Sequence, residues 1–183
     1  MILFKILATL VALIAILLIV ALFVKKKYTI TREVTINSSV EDVYDYLRFH
    51  KNQKQYNHWL QLDPNVRTEI KGKPDGEPGS ILFFESKSKK AGTGEWENTG
   101  LIKNKRIEIE LRFLHPYQFT ATAILYFKPI DTYTTQLVWE YHSGMDWPKN
   151  ITLLFMDMDK IIGGDIEKTL GNIKHQLENN GRM

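Results

Sequence analysis

The most constraining feature of the sequence is an uncharged apolar run near the amino terminus. Residues 6–24 contain one weakly polar side chain, Thr9, and three lysines at 25–27 end the run. As a helix rising 1.5 Å per residue, the run is roughly 28 Å long, close to the ~30 Å hydrocarbon thickness of a bilayer. A helix satisfies its own backbone hydrogen bonds in lipid. The run therefore predicts a membrane anchor over residues 1–27.

A cleaved secretory signal and a buried core helix are the alternative interpretations of this run. Signal cores span ~7–15 apolar residues and precede a pair of small residues. This run is longer, and its last five residues read VALFV. A helix that is apolar all round rarely begins a small soluble domain. We therefore favour an uncleaved anchor, and the lysine excess after it favours a cytoplasmic location for the following domain.

The composition of the remaining chain excludes several kinds of site. About 155 residues follow the anchor, enough for one domain with its own core. The formal net charge is +3, and the lysines that flank the apolar run, Lys5 and 25–27, account for this excess. The sequence therefore implies no broad basic face, and we do not expect nucleic acid as a partner. The sequence has no cysteine, which excludes disulfides, thiolate metal ligands and cysteine nucleophiles.

Hydrophobic periodicity predicts an α+β domain. Ser38 and Glu41 form a capping-box pattern before an amphipathic helix, and a short helix with a loop is expected at 52–64. Apolar residues at three-and-four spacing predict a long helix over about 150–177, with a glycine pair at 163–164 in its middle. Alternation and turn residues predict strands at 28–36, 66–71, 80–86, 94–102, 106–113, 119–127 and 134–142.

This order of elements places a long helix across a curved antiparallel sheet. The strand at 106–113 alternates Ile107, Ile109 and Leu111 with charged residues, as expected for a sheet with one solvated face. Curvature leaves a gap that side chains alone do not fill. The gap predicts a pocket lined by apolar and aromatic residues.

Four stretches of the sequence resemble the START-like, or helix-grip, SRPBCC superfamily, and within it the polyketide cyclase/dehydrase-like group. The resemblance covers the chain from about 28 to 178, and its stretches are 36–47 (INSSVEDVYDYL), Trp59 with 62–65 (LDPN), 76–80 (GEPGS) with 92–95 (GTGE), and 156–174 (MDMDKIIGGDIEKTLGNIK). It implies a sheet of about seven strands wrapped around the C-terminal helix in residues 28–180, with an apolar cavity between them. The segment 56–61 is more polar than the family pattern, and 87–90 adds a basic loop.

Aromatic residues are the candidates for the cavity wall. Four tryptophans in a small domain favour a lined cavity over a solid interior. The candidates are Trp59, Phe83, Trp96, Phe113, Tyr126, Trp139, Tyr141 and Phe155.

The sequence contains no recognised catalytic motif, and we predict no catalytic residue, metal site or cofactor. The hypothesis that these patterns favour is a membrane-tethered domain that binds a hydrophobic small molecule, such as a lipid, a sterol-like or a polyketide-like compound. One alternative is a cyclase or hydratase with Glu95 or His142 as base. Another is a module that docks a partner protein through the sheet's outer face or the loop Lys87–Lys90.

Overall fold

Seven antiparallel strands form one open sheet in the computed structural model, which describes residues 1–180. Along the sheet the strands follow the order β1-β7-β6-β5-β4-β3-β2. Their bounds are β1 (Lys27–Ile36), β2 (Arg67–Gly72), β3 (Ser80–Glu85), β4 (Thr93–Ile102), β5 (Arg106–His115), β6 (Phe119–Asp131) and β7 (Thr134–Gly144).

Five α-helices and two 3₁₀ segments complete the described chain. The apolar α1 (Ile2–Phe23) precedes the sheet, and α5 (Met158–Asn180) follows it. Between β1 and β2 lie α2 (Val40–Arg48), a 3₁₀ turn (His50–Asn52), α3 (Gln53–Tyr56) and α4 (His58–Gln61), and the second 3₁₀ segment is Lys149–Leu154. The α+β, helix-grip prediction is confirmed.

Two predicted helix starts are wrong, in each case because another side chain caps the helix. The cap of α2 is Ser39, not Ser38, and its Oγ accepts from the Asp42 backbone N–H at 3.2 Å. The long helix predicted from about residue 150 instead begins at Met158. Asp157 Oδ1 accepts from Lys160 N at 3.0 Å and so caps the start of α5. Phe155 therefore lies in the connection before α5 and not on its apolar face.

Alternation along the strands builds the core. In β5, Ile107, Ile109 and Leu111 are buried, and in β7 Trp139 and Tyr141 are buried on the same side of the sheet. Helix α5 presents Ile166, Leu170 and Ile173 to this face, each at most 2% exposed. Full burial of such a side chain stabilises the fold by about 1.5–3 kcal/mol.

An arginine on β1 fixes the position of α5. The guanidinium of Arg32 donates to Asp159 Oδ2 at 2.8 Å and to Glu167 Oε1 at 2.6 Å, two positions on α5 separated by about two turns. It lies against Gly163, where a Cβ would meet the guanidinium. These bonds raise the pKa of Arg32 and lower that of Asp159. Close packing against the sheet therefore explains the first glycine of the pair, whereas a Cβ on Gly164 would face open space.

The end of α1 is bonded to the segment after β7. The buried amide of Asn150 donates from Nδ2 to the carbonyls of Ala21 at 2.7 Å and Val24 at 3.0 Å. Trp147 Nε1 donates to the carbonyl of Leu18 at 3.1 Å. The last carbonyls of a helix have no partner within the helix, so Asn150 caps α1. Helix α1 is thereby held in a set direction relative to the sheet.

The two glycines of α5 provide a matched test of the Arg32 contact. Gly164→Ala raises the free energy of unfolding by about 0.5–1 kcal/mol, because alanine loses less backbone entropy in a helix. Gly163→Ala raises the free energy of unfolding less or not at all, because its Cβ displaces the guanidinium of Arg32 from Asp159 and Glu167. Denaturant unfolding of the full chain in detergent, followed by circular dichroism, measures both. Equal stabilisation by the two variants would contradict the Arg32 contact.

A buried histidine makes stability depend on pH. His50 is 2% exposed; its Nε2 lies 3.0 Å from the carbonyl of Ser80 and its Nδ1 lies 3.0 Å from Gln53 Nε2. Burial lowers its pKa below the ordinary 6.5. Above about pH 6.5 the imidazole is neutral in both folded and unfolded chains, whereas below it the unfolded chain takes up a proton that the folded chain resists.

We therefore expect stability to fall as the pH decreases below about 6.5. His50→Gln supplies a hydrogen-bond donor and an acceptor but no titrating group. The free energy of unfolding of this variant therefore falls less steeply between pH 7.5 and 5. The measurement is the unfolding midpoint across this range for both chains. Parallel pH profiles would show that His50 does not carry the effect.

Candidate functional site

A cavity of about 100 Å³ lies between the concave face of the sheet and α5. Its inner wall comes from the sheet strands, its roof from α4 and α5, and its mouth from the β3–β4 and β5–β6 loops. The lining residues are Trp59, Lys89, Lys90, Ala91, Trp96, Leu111, Phe113, His115, Pro116, Tyr117, Phe119, Trp139, Tyr141 and Ile162.

Aromatic rings in edge-to-face and stacked contacts build the wall. The Trp96 ring contacts Trp59 and Phe84 at centroid distances of 6.1 Å, in each case edge to face. At the mouth, Phe113 and Phe119 stack at 4.4 Å. Such pairs contribute about 0.5–1.5 kcal/mol each beyond their area of burial. The wall is therefore an ordered aromatic surface.

Local polar bonds place Trp59 in the roof. Asn57 is fully buried, and its Oδ1 accepts from the Trp59 backbone N–H at 3.0 Å, which caps α4. The backbone N–H of His58 donates to Thr169 Oγ1 on α5 at 3.2 Å. These bonds tie α4 to α5 and hold the Trp59 side chain over the cavity.

Two indole donors of the wall lack a hydrogen-bond partner. Trp96 and Trp139 are 3% and 2% exposed, and neither Nε1 has a partner among residues 1–180. An unsatisfied buried donor costs about 1–3 kcal/mol. Both residues line the cavity, but each Nε1 has less than 1 Å² of accessible surface, so an acceptor oxygen in the cavity reaches either donor only when the ring shifts.

Tyr141 adds a phenol to the wall. Burial raises its pKa, and the ring of Tyr28 lies 6.4 Å away between centroids. The hydroxyl therefore stays protonated at neutral pH. It can donate or accept a hydrogen bond, but it does not act as a base there.

A buried carboxylate holds the mouth loop against α5. Asp165 is 2% exposed, and its Oδ1 accepts from Lys90 Nζ at 2.8 Å. His58 Nε2 and Lys168 Nζ lie farther away, at 3.6 and 3.8 Å. Burial and Lys168 lower the pKa of His58, so at neutral pH lysines neutralise Asp165. Lys90 thus closes the loop over the cavity.

The cavity mouth lies at the same side of the sheet as the end of α1. This side, called an edge below, is where β1 and β6 start and β5 and β7 end. Lys27, where β1 starts, pairs with Gly144 at the end of β7. Across the next strands, β6 starts at Phe119, which pairs with Phe113 near the end of β5. Three strand spacings separate β1 from β5, roughly 14 Å. The mouth residue Tyr117 is 78% exposed at this edge.

Most of the aromatic residues that the sequence indicates do line the cavity. They share inward positions on strands, or a place on α4 in the case of Trp59: Trp59, Trp96, Phe113, Trp139 and Tyr141. Their role in binding a ligand stays a prediction.

Three of the indicated residues lie outside the cavity. Phe83 is half-buried on the other face of β3, under Lys71 Nζ at 4.4 Å, and its neighbour Phe84 turns inward instead. Tyr126 alternates with the buried Leu125 and so faces outward. Phe155 is 83% exposed before α5.

Sequence reasoning missed Leu111 and Ile162. It also missed the mouth residues His115, Pro116, Tyr117 and Phe119. Leu111 shares the alternation of β5 with Phe113, so the pattern contained a signal for it. Ile162 lies on the apolar stripe of α5, and such a stripe does not show which of its residues face the packed core and which face the cavity. The loop at the mouth has no sequence signal of its own, because only the sheet edge brings it there.

Both candidate bases lie outside the cavity. Glu95, with Glu97, bonds to Arg112 on the outer face of the sheet, at 3.2 and 2.7 Å. His142 also faces outward and lies 3.0 Å from Thr29 Oγ1. The specific assignment of either residue as a base inside the pocket is wrong, since both side chains alternate away from it.

No group of three or more His, Asp or Glu side chains suited to a metal ion occurs among residues 1–180. Asp157 and Asp159 have separate partners: the first caps α5 and the second pairs with Arg32.

Comparison with protein families identifies the domain. Residues 27–178 match the family described as polyketide cyclase / dehydrase and lipid transport. The chain belongs to this family. A comparison with curated proteins gives no match. The matched range begins with β1 and ends within α5, so the sheet, the cavity and the closing helix all fall inside it.

Solved structures share the fold at low sequence identity. The di-domain ARO/CYC StfQ from the steffimycin biosynthetic pathway matches with a TM-score of 0.62 and 14% identity, over 86% of this chain and 53% of that one. A Staphylococcus aureus protein of unknown function matches with 0.62 and 13%, over 86% and 98%. The Aha1 dimer from Colwellia psychrerythraea matches with 0.55 and 17%, over 82% and 96%. At these identities the likeness concerns the fold.

The Lys90–Asp165 contact predicts how the mouth loop responds to mutation. Lys90→Ala removes a hydrogen bond to a buried charge, while Lys168 and His58 remain near Asp165. Because Lys90 is half exposed, we expect the variant to lose only about 1 kcal/mol of the free energy that holds the loop closed. The backbone amides of residues 86–92 then exchange roughly fivefold faster. Hydrogen–deuterium exchange measures this. Lys89→Ala is the matched control, and an equal effect of both variants would exclude the contact as the cause.

Proposed function

We propose that this protein is a membrane-tethered domain that binds an apolar small molecule with a hydrogen-bond acceptor, such as a lipid, sterol-like or polyketide-like compound. Residues 1–27 serve as the anchor, and residues 28–180 hold the ligand between the sheet and α5. The observation that carries the proposal is the aromatic cavity with the unsatisfied donors of Trp96 and Trp139. The family description, which names lipid transport, supports it.

The size of the cavity sets how a ligand enters. Its volume of about 100 Å³ is below the ~300–1,000 Å³ of pockets for drug-sized ligands. A ligand larger than the cavity enters when the loop that carries Lys90 moves away from Asp165. Binding then stabilises the open arrangement through apolar burial of about 25 cal/mol per Å².

The tether rests on α1. The helix has 22 residues and is long and apolar enough to cross a membrane, and of its residues Ala21 is the one that is buried. A core helix of a soluble domain would bury a full stripe. The lysines at 25–27, against Lys5 before the span, favour the cytoplasmic side for the domain. The mouth at the same sheet edge then opens towards the bilayer, where apolar ligands concentrate.

The enzyme alternative has less support. A cyclase or hydratase needs a base within reach of its substrate. In the described cavity wall, the titratable groups are lysines, His115 and tyrosines, and Tyr141 is the one set deep among the buried aromatic residues. Because burial keeps Tyr141 protonated, the wall offers a donor for a carbonyl oxygen and no carboxylate base.

A matched pair of ligands tests the proposed specificity. α-Tetralone and tetralin share their ring skeleton, but only the ketone has an acceptor oxygen. We expect the full chain in detergent to bind the ketone more tightly, and Trp139→Phe and Trp96→Phe to lose that preference by about 2–10-fold, the value of one hydrogen bond. Affinity for tetralin changes less. Calorimetric titration measures all affinities.

Trp147→Phe is the control, because this residue lies outside the cavity and bonds to α1. It should leave both affinities unchanged. Failure of the wild-type chain to bind either compound, or any lipid extract followed by native mass spectrometry, would overturn the binding proposal. Equal affinity for both compounds would overturn the role of the indole donors.

A further inference from the structure

The segment between β7 and α5 exposes an unusual run of large apolar side chains. Phe155 is 83% exposed, Leu154 56%, Trp147 44% and Met156 41%. Side chains of this kind rarely occur together on a solvated surface, and such patches mark sites of interaction. They do not line the ligand cavity, so ligand binding does not explain them.

This segment lies alongside the last turns of α1. Trp147 Nε1 donates to the carbonyl of Leu18, seven residues before Lys25 and therefore roughly 10 Å deeper along the helix axis. A groove of about 580 Å³ separates α1 from the segment. Its walls include Val20 and Phe23 on one side and Leu154 and Met156 on the other. If α1 spans the bilayer, the segment reaches the level of the acyl chains.

Positive charge surrounds the top of the same groove. Lys25 and Lys27 line it, and among residues 1–180 the lysines at 25–27 form no ion pair. Asp157 also lines the groove, but its Oδ1 accepts from Lys160 N at the start of α5. Unpaired lysines at the boundary of an apolar surface attract anionic headgroups.

We propose that residues 147–156 form a second membrane contact, which lies in the interface of an anionic phospholipid bilayer beside α1. The proposal rests on the membrane anchor of the proposed function. The aromatic and aliphatic side chains enter the boundary between headgroups and acyl chains, as in interfacial amphipathic segments. An acyl chain fills the groove, and the lysines at 25–27 bind the phosphates above it. Trp147 takes the place typical of tryptophan in the interfacial belt.

This contact has a consequence for the ligand site. An anchor alone would let the domain rotate about the chain that joins it to the membrane. The bonds of Asn150 and Trp147 to α1, together with a second surface in the interface, fix the tilt of the sheet. The edge with the cavity mouth, including the exposed Tyr117, then faces the bilayer in one orientation.

Spin labels on single cysteines test the contact, because the native chain has no cysteine. The full chain is placed in nanodiscs of anionic phospholipid, and the depth of each label is measured from its accessibility to oxygen and to a polar nickel complex. Phe155→Cys is the test position and leaves the core intact, as this side chain is exposed. Tyr133→Cys, 76% exposed in the β6–β7 turn at the opposite edge, is the matched control. Ile14→Cys reports on the anchor.

We expect the label at 155 to lie about 5–10 Å below the phosphates and the label at 133 to be fully aqueous. A label at 155 as aqueous as the one at 133, with the label at 14 in lipid, would overturn the second contact and leave the anchor standing. An aqueous label at 14 would overturn the anchor, and the contact with it. Ligand binding by the cavity is measured separately and does not depend on either outcome.

Discussion

One-sided burial of the sheet is the constraint on which the rest of the structure depends. Because successive side chains on a strand point to opposite faces, the apolar set of each strand must be covered on one side, and α5 covers it together with α2, α3 and α4. Ile166, Leu170 and Ile173 fill the part of the interface where the strands contribute aliphatic residues. Where they contribute Trp96, its rigid ring meets Trp59 and Phe84 edge to face, and the cavity lies beside these rings. The cavity is thus a result of how the core is packed.

The position of α5 links this core to the surface of the molecule. Arg32 holds the helix to β1 through Asp159 and Glu167, and Asp165, which lies between these two residues in the sequence, holds Lys90 of the mouth loop. The bond that closes the cavity therefore depends on the same helix that covers the sheet. A buried carboxylate with a half-exposed lysine is a contact that opens at modest cost, as the proposed entry of a ligand requires.

The start of the sheet is joined to α1, the proposed membrane anchor. Helix α1 leads into β1 through a few residues, and Asn150 and Trp147 bond it to the segment after β7. Because antiparallel pairing brings the end of β7 beside the start of β1, these contacts follow from strand order. The same order places the cavity mouth at this edge. The positions of the proposed tether, the proposed interfacial segment and the cavity mouth therefore follow from one sheet topology.

The sequence by itself determined the apolar helix, the α+β class and the inward positions on strands with clear alternation, such as Trp139 and Tyr141. These depend on local periodicity, which a single sequence records. It did not show which of Phe83 and Phe84 points inward, because the two are adjacent and both aromatic. Pairing of β3 with β4 decides which face of the sheet each side chain takes. The break at Asp157 rests on a local cap, which the apolar spacing on both sides of it did not reveal. Only the tertiary structure decided the bond between Lys90 and Asp165 at the mouth and the bonds of Trp147 and Asn150 to α1. Each of these contacts joins residues distant in sequence that meet only when the sheet has formed.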